Sequence, residues 1–159
     1  MTWRVVRLAK TDGYSDYRAR VDGCLFCRII AGEVPAPMVF TADDAVGFLD
    51  HRPVFKGHVL VVPRAHIETL PDLPPAEVGA FFTHVQRVSA ALPAGLGAQG
   101  TFVGLNNKVS QSVPHLHVHV VPRTKGDGLR GFFWPRGRYA DDAEAAEYAK
   151  RIAQALAAL

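Results

Sequence analysis

Three histidines alternate with aliphatic residues between positions 115 and 121, and this pattern constrains the fold more than any other feature of the sequence. The segment reads His-Leu-His-Val-His-Val-Val. On a β-strand, every second side chain points to the same face, so His115, His117 and His119 would lie in a row, roughly 7 Å apart for successive members. The pattern predicts a strand over residues 115–121 with its aliphatic face in the core and its imidazoles on the other face.

A row of three imidazoles is poorly explained by core packing alone, because each ring carries two nitrogens that need hydrogen-bond partners. A catalytic role for the three imidazole rings is the simpler interpretation. Metal binding is the main alternative, since neutral imidazole is the commonest metal ligand in proteins.

The residues around this strand predict an α+β domain with an antiparallel sheet, a short N-terminal helix and a central helix. Short strands are expected at 38–41, 45–50, 58–62 and 101–105, with a hairpin at Asp43 and Asp44. A short helix is expected over 25–30. Apolar residues at three- and four-residue spacing predict a longer one from Pro74 to about Leu92. Short turns between the strands favour this class over alternating βαβ units.

The chain has 159 residues, which is enough for one domain with a real core. We expect an N-terminal extension at 1–23, a folded domain at 24–123 and a C-terminal extension at 124–159, with a basic loop followed by a helix from residue 141. The loop carries five basic side chains against Asp127, and it suits a phosphorylated ligand, a weak nucleic-acid patch or a solvated surface. These are Arg123, Lys125, Arg130, Arg136 and Arg138.

Apolar runs in the sequence are only a few residues long, whereas a membrane span needs about 20. The N-terminus has no apolar stretch long enough for a signal peptide. We therefore expect a cytoplasmic protein with no membrane association. In that compartment Cys24 and Cys27 stay reduced, which disfavours a structural disulfide between them.

The histidine strand resembles the signature of the histidine triad (HIT) family, His-φ-His-φ-His-φ-φ, where φ is apolar. The resemblance covers residues 24–123 and is similar to the bacterial nucleotide-binding and hydrolase branch that begins with Cys-x-x-Cys. It includes four further segments, at 24–30, 48–50, 57–66 and 111–113. It implies a HIT-like fold and cleavage at the α-phosphate of a nucleotide.

The resemblance also implies a role for individual residues. His117 would be the nucleophile, forming a nucleotidyl-histidine intermediate that water resolves to a nucleoside monophosphate. A backbone carbonyl would hold the proton on its other ring nitrogen. The phosphate or the leaving group would contact His119, Asn106, Gln111 and Ser112. The ribose would contact Asp50, and the base would contact Phe26, Ile29, Val34 and Phe48.

Two positions stay open. The loop after Asn106 is shorter than in family members and lacks their glycine, so either Asn106 or Asn107 would contact the phosphate. His58 precedes an apolar strand, where it either supports the phosphate site or has a structural role.

Cys24 and Cys27 have the spacing of two ligands of a tetrahedral zinc ion, although plain buried cysteines remain an alternative. The resemblance implies that His66 and His115 complete the set. Four protein ligands leave no position for water, so this zinc would be structural.

The leading interpretation is therefore a hydrolase of nucleoside phosphoramidates or dinucleoside polyphosphates. The alternatives are a dinucleoside polyphosphate phosphorylase or nucleotidyltransferase, and a nucleotide-binding interaction module with incidental catalysis. The expected partners are a purine nucleotide and a second copy of the chain. Nucleic acid is not expected, because no zinc-finger pattern follows the triad.

Overall fold

A five-stranded antiparallel sheet with the strand order β1-β2-β3-β5-β4 forms the centre of the larger part of the molecule. The computed structural model describes residues 21, 23–129 and 138–156. The strands are β1 (Met38–Thr41), β2 (Ala45–Leu49), β3 (Val59–Pro63), β4 (Gly100–Gly104) and β5 (Val118–Arg123). Helix α1 (Leu25–Ile30) precedes the sheet, a 3₁₀ helix (Leu70–Asp72) and α2 (Pro75–Leu96) connect β3 to β4, and α3 (Asp142–Leu156) follows β5. The expected α+β fold is confirmed.

Each face of the sheet packs against a different helix. On one face, α2 contributes Phe81, Val85, Val88 and Leu92 to a core shared with the aliphatic residues that alternate with the histidines, Leu116, Val118 and Val120. On the other face, Cys24 and Phe26 at the start of α1 pack with Val46, Phe48, Leu60 and Val62 of β2 and β3. The two-residue period of the strands thus separates an aliphatic core from the face that carries the imidazoles.

Strand β5 begins at Val118, three residues later than the histidine pattern predicts. The backbone before it makes other hydrogen bonds. The N–H of Leu116 donates to the carbonyl of Ile67 at 2.6 Å, and the N–H of His115 donates to the carbonyl of Val113 at 2.8 Å. His119 lies in the strand, while His115 and His117 lie in the segment leading into it, which is fastened to the loop after β3.

Helix α2 runs four residues beyond the predicted end and includes Pro93. It ends at Gly97, whose φ of 67° lies in the left-handed region that glycine adopts without steric cost. Gly95 and Leu96, which lie beyond the predicted helix, therefore belong to it.

The chain divides into two compact units between Lys125 and Gly126. The smaller unit contains α3, which starts with Asp142 and Glu144 in its first turn, where acids favour a helix N-terminus. The basic residues Arg130 and Arg136, and nearly all of the predicted N-terminal extension, lie outside the described residues. In the described part of the chain, no helix has both the length and the apolar character that crossing a bilayer requires.

Candidate active site and metal centre

The candidate active site lies on the sheet face that α1 covers. Strand register places Phe48 opposite Leu60 and Leu60 opposite His119, so these side chains share one row across β2, β3 and β5. Phe26 of α1 packs edge-on against Phe48, with 5.4 Å between ring centroids, and against His117, with 5.2 Å between centroids. Helix α1 thereby closes one side of the site.

His117 is held by the backbone of its own segment. Its Nδ1 lies 2.7 Å from the carbonyl oxygen of His115, and its exposed fraction is only 3%. A carbonyl oxygen only accepts hydrogen bonds, so Nδ1 carries the proton and donates it. The lone pair of the neutral ring is then on Nε2, the state that a nucleophilic imidazole requires.

His119 forms a hydrogen bond with His58, whose Nε2 lies 3.0 Å from its Nδ1. The N–H of Val54 donates to His58 Nδ1 at 3.3 Å, so the proton of a neutral His58 is on Nε2 and is donated to His119. His119 in turn keeps its own proton on Nε2. Burial lowers the pKa of His119 to about 4, with His117 and His58 adding to the effect, and burial also lowers the pKa of His58.

An apolar cavity of about 270 Å³ lies between α1 and the end of β2. Asp50 lines it together with all four residues that the family resemblance assigns to the base, Phe26, Ile29, Val34 and Phe48. Asp50 accepts a hydrogen bond from the N–H of Arg52 at 2.8 Å, and its other carboxylate oxygen lies 3.6 Å from His58 Nδ1. The sequence did not single out Leu25, Pro35, Pro37 or Leu60, which also line this cavity. Leu60 lies on the same face as Phe48 because strand register pairs the two residues, and the sequence alone does not show this register.

The loop expected to contact phosphate is braced by its own side chains. Asn107 accepts the N–H of Leu70 at 2.9 Å, whereas Asn106 is exposed and reaches only the carbonyl of Ser110, at 3.4 Å. Gln111 donates to the carbonyl of Glu68 and accepts the N–H of Lys108, both at 2.7 Å. Asn106 is therefore held less firmly by hydrogen bonds within the protein than Asn107, whereas the two hydrogen bonds of Gln111 fix the conformation of the loop.

Ser112 is exposed and lies elsewhere. It lines a separate cavity of about 330 Å³ together with Cys24 and His66. The structure therefore places Phe26, Ile29, Phe48 and Asp50 around one cavity, but it does not bring Asn106, Gln111 or Ser112 into it.

Cys24, Cys27, His66 and His115 form a four-membered cluster in which one ligand atom from each residue lies within 4.8 Å of the others. Nδ1 of His115 lies 3.4 Å from Sγ of Cys24 and 3.5 Å from Sγ of Cys27. Nδ1 of His66 lies 3.3 Å from Sγ of Cys27. Zinc bound at about 2.3 Å from sulfur and 2.0 Å from nitrogen in a tetrahedron separates its ligands by similar distances.

Two further observations fit a divalent cation at this cluster. His115, which is fully buried, directs Nε2 to the carbonyl of Pro63 at 2.8 Å, so its proton is on Nε2 and its Nδ1 lone pair faces the sulfurs. Burial raises the pKa of Cys27 to about 12, and Cys24 adds to the effect. A thiolate pair here needs a positive charge between the sulfurs, which a cation supplies.

The low pKa of His119 predicts a loss of stability in acid. Its pKa is about 4 in the folded chain and about 6.5 when unfolded, so the unfolded state binds more protons as pH falls through this window. We expect the melting temperature to fall between pH 6.5 and pH 4.5. In His119→Gln this penalty should be smaller by about 2 kcal/mol at pH 4.5. Melting curves of both proteins at several pH values test this, and parallel curves would contradict it.

Comparison with known proteins identifies the family. The model of the HIT domain matches residues 31–126. A HIT-like protein of Methanocaldococcus jannaschii is 41% identical over 107 residues, which cover 66% of this chain and 82% of that protein. The Protein hit of Bacillus subtilis is 38% identical over 130 residues, covering 76% and 83% respectively. The structure of a zinc-bound histidine triad family protein from Mycobacterium smegmatis superposes with a TM-score of 0.65 at 34% identity, covering 87% of this chain and 99% of that one.

Two enzymes are also among the relatives. The adenylylsulfatase HINT3 of Arabidopsis thaliana is 32% identical over 74% of this chain and 61% of its own length. An asymmetrical bis(5'-nucleosyl)-tetraphosphatase of Schizosaccharomyces pombe is 36% identical over 52% of this chain and 47% of its own. The family match spans the sheet, the central helix and all three histidines, and the fold agrees with it, so the chain belongs to the HIT family.

Proposed function

We propose that this chain is a nucleotide hydrolase that cleaves at the α-phosphate of a nucleoside phosphoramidate or a dinucleoside polyphosphate. The observation that carries the proposal is the 2.7 Å hydrogen bond from His117 Nδ1 to the carbonyl of His115. It leaves Nε2 of a neutral imidazole unprotonated, on a ring that packs against Phe26, which lines the cavity of about 270 Å³. The two enzymes among the relatives, which act on adenylyl sulfate and on a dinucleoside tetraphosphate according to their names, support this reaction class.

In the first step, Nε2 of His117 attacks the α-phosphorus. A phosphorus–nitrogen bond forms while the bond from phosphorus to the leaving group breaks; a phosphate leaves as its anion, and an amine takes up one proton from solvent as it leaves, which the water of the second step returns. The ring becomes positively charged, and the hydrogen bond from Nδ1 to the His115 carbonyl grows stronger as it does so. In the second step, water attacks the same phosphorus, releases the nucleoside monophosphate and returns His117 to its neutral state. Two moderate displacements thus replace one difficult displacement.

His119 presents an N–H to the reacting group. Because His58 donates to its Nδ1 at 3.0 Å, the Nε2–H of His119 is available to donate to an oxygen of the phosphate or of the leaving group. The lowered pKa keeps the ring neutral at pH 7, so its tautomer is fixed by the hydrogen bond from His58. We therefore assign His58 the role of a positioning residue, which is the first of the two roles that the sequence left open.

The nucleoside would occupy the 270 Å³ cavity beside α1. Phe26, Ile29, Val34 and Phe48 offer apolar contact to a flat base, and Asp50 at the rim can accept hydrogen bonds from both ribose hydroxyls. We assign the purine preference to this cavity, because a bicyclic base fills more of its apolar lining.

We also propose that zinc is resident at the cluster of Cys24, Cys27, His66 and His115. Four protein ligands saturate a tetrahedral ion, so the metal supplies folding free energy and activates no water. His115 then serves the site through its backbone carbonyl, while its ring belongs to the metal centre.

The test of the function is turnover with adenosine and guanosine phosphoramidates and with dinucleoside polyphosphates. We expect a nucleoside monophosphate product that takes up one ¹⁸O from labelled water. Adding inorganic phosphate distinguishes the alternatives, because a phosphorylase would release a nucleoside diphosphate. Nucleotide binding without turnover of any of these substrates would favour an interaction module and refute the proposed hydrolase.

Asp50→Asn should raise KM for ribonucleotide substrates by roughly 10- to 100-fold, because it removes a charged acceptor from two hydroxyl donors. The matched control is a 2',3'-dideoxynucleoside phosphoramidate, which lacks both hydroxyls. Steady-state kinetics of both proteins on both substrates complete a four-way comparison, which isolates the change in KM that depends on the ribose hydroxyls. An equal change in KM on the two substrates would mean that Asp50 does not contact the ribose.

We expect a homodimer. Strand β4 is at the edge of the sheet, and its Val103 is 42% exposed. An exposed apolar edge strand is a natural site for pairing with a second chain. Light scattering at micromolar concentration should give the mass of two chains, and Val103→Lys should shift it towards one. A single-chain mass for the unmodified protein would reject the dimer.

A further inference from the structure

We infer that Cys24 and Cys27 are an oxidation site that switches the active site off, and that a disulfide between them dismantles the metal cluster and releases His117 from its working position. The inference rests on the proposed function for its effect on turnover. The oxidation itself and the fate of the metal are independent of it.

The two cysteines are placed for a reversible disulfide. Cys24 is the extended residue that caps α1, with φ of −83° and ψ of 120°, and Cys27 lies in the first turn of that helix. Their sulfurs are within 4.8 Å of one another. A disulfide needs the sulfurs at ~2.05 Å, which a local change in this first turn can provide. Both cysteines are free in the structure, and in a reducing compartment such a pair is oxidised only transiently.

A small oxidant has a route to the sulfurs. The 330 Å³ cavity lined by Cys24, His66 and Ser112 lies directly against the cluster, and Cys27 is only partly buried. Glu68 and Val113 line the same cavity. Apart from Leu25, which lines both, its lining residues differ from those of the cavity that we assign to the nucleoside, so a nucleoside bound there leaves this route open.

Two connections join the cysteines to the nucleophile. The first is Phe26, which lies between them in sequence and packs on the His117 ring with 5.2 Å between centroids. The second is His115, whose ring is 3.4 to 3.5 Å from both sulfurs and whose carbonyl accepts the Nδ1–H of His117. A disulfide draws the first turn of α1 together and removes the metal that would link the His115 ring to it, which leaves that ring its hydrogen bond to the Pro63 carbonyl. Both supports of His117 therefore change at once.

The chemistry balances with hydrogen peroxide as the oxidant. The two cysteine thiolates lose two electrons and form the S–S bond. Hydrogen peroxide takes up these electrons with two protons and leaves as two molecules of water. Disulfide sulfur is a poor metal ligand, so Cys24 and Cys27 would no longer hold a bound divalent ion, which would be released to solvent. A dithiol reductant together with free Zn²⁺ reverses the reaction.

The experiment treats the zinc-loaded protein with hydrogen peroxide and follows three quantities over time. A chromogenic chelator reports released zinc, mass spectrometry of the intact chain reports the loss of two hydrogens, and a phosphoramidate assay reports kcat. We expect one zinc released per disulfide formed and a parallel loss of kcat of at least tenfold. Dithiothreitol with Zn²⁺ should restore kcat, whereas dithiothreitol with a chelator should not.

Cys27→His is the matched variant, because it keeps four nitrogen or sulfur ligands but only one thiol. We expect it to hold zinc and to show neither the loss of two hydrogens nor the zinc release that accompanies it. If this variant does not bind zinc, the time courses of the unmodified protein still test the inference by themselves. Full kcat after complete disulfide formation would overturn the inference, as would inactivation that runs ahead of zinc release.

Failure of the proposed function gives a different result. If no substrate is turned over, calorimetric titration of a nucleoside monophosphate replaces the assay. We then expect oxidation to weaken nucleotide affinity at least tenfold, because Phe26 also lines the nucleoside cavity. Unchanged affinity in the oxidised, zinc-free chain would overturn the switch whether or not the chain is an enzyme.

Discussion

His117→Ala is expected to lower kcat by about 10⁴ or more on every substrate that the unmodified protein turns over, since loss of a nucleophile removes the covalent route. Single-turnover assays should show no nucleotidyl-enzyme in the variant. In the unmodified protein, rapid quenching at alkaline pH, where a phosphorus–nitrogen bond survives, should trap one nucleotidyl group per active chain. A variant that retains near-normal rates would refute the covalent mechanism.

Burial of His117 requires a second variant for this prediction. The ring packs on Phe26, so alanine leaves a small cavity and some loss of stability is expected. Asparagine fills more of the space and can still donate to the His115 carbonyl, so His117→Asn should be equally inactive but closer to the parent in melting temperature. His84→Ala is the matched control. That histidine is bonded to Asp44 at 2.9 Å, outside the site, and its loss should leave kcat unchanged.

The alternation of the triad predicted the division of the sheet into two faces, because side-chain direction on a strand depends only on the two-residue period. The resemblance supplied the cluster of Cys24, Cys27, His66 and His115, and their ligand atoms do lie together. The bounds of α1 and β1 also agree with the sequence. In each of these cases local pattern or a spaced motif carries the information.

The sequence could not show the role of His58. It also could not show which side chains of the loop at 106–112 form hydrogen bonds within the protein. His58 and His119 are 61 residues apart, and they meet only because strand register places Leu60 opposite His119. Asn107 and Gln111 look like ligand contacts in the sequence, but they bond to Leu70 and Glu68 once the loop closes. Hydrogen bonds between loops depend on closure geometry, which no local pattern encodes. Strand β5 starts three residues later than predicted for the same reason, because the backbone before it forms hydrogen bonds with Ile67 and Val113 instead.

Cys27→Ser should lower zinc content from about one ion per chain and lower the melting temperature by about 10 °C, since loss of about 3 kcal/mol has that effect on a chain of this size. The expected loss of stability has a structural reason. The cluster fastens the start of α1 to His66 after β3 and to His115 before β5, and these residues are far apart in sequence. Metal analysis and calorimetry on protein purified without chelator test this.

Arg28→Ala is the matched control for the zinc prediction, because it changes the neighbouring residue on the same helix turn. Arg28 makes an ion pair with Glu33 in which both side chains are about half exposed or more, so its loss should change stability by less than about 0.5 kcal/mol and leave zinc in place. Chelator should lower the melting temperature of the unmodified protein to that of Cys27→Ser and leave the variant where it is. If the metal-free and metal-loaded proteins melt together, apolar packing of α1 against β2 and β3 holds the helix without the metal. The cluster would then not contribute to folding, and His115 would need no metal to present its carbonyl to His117.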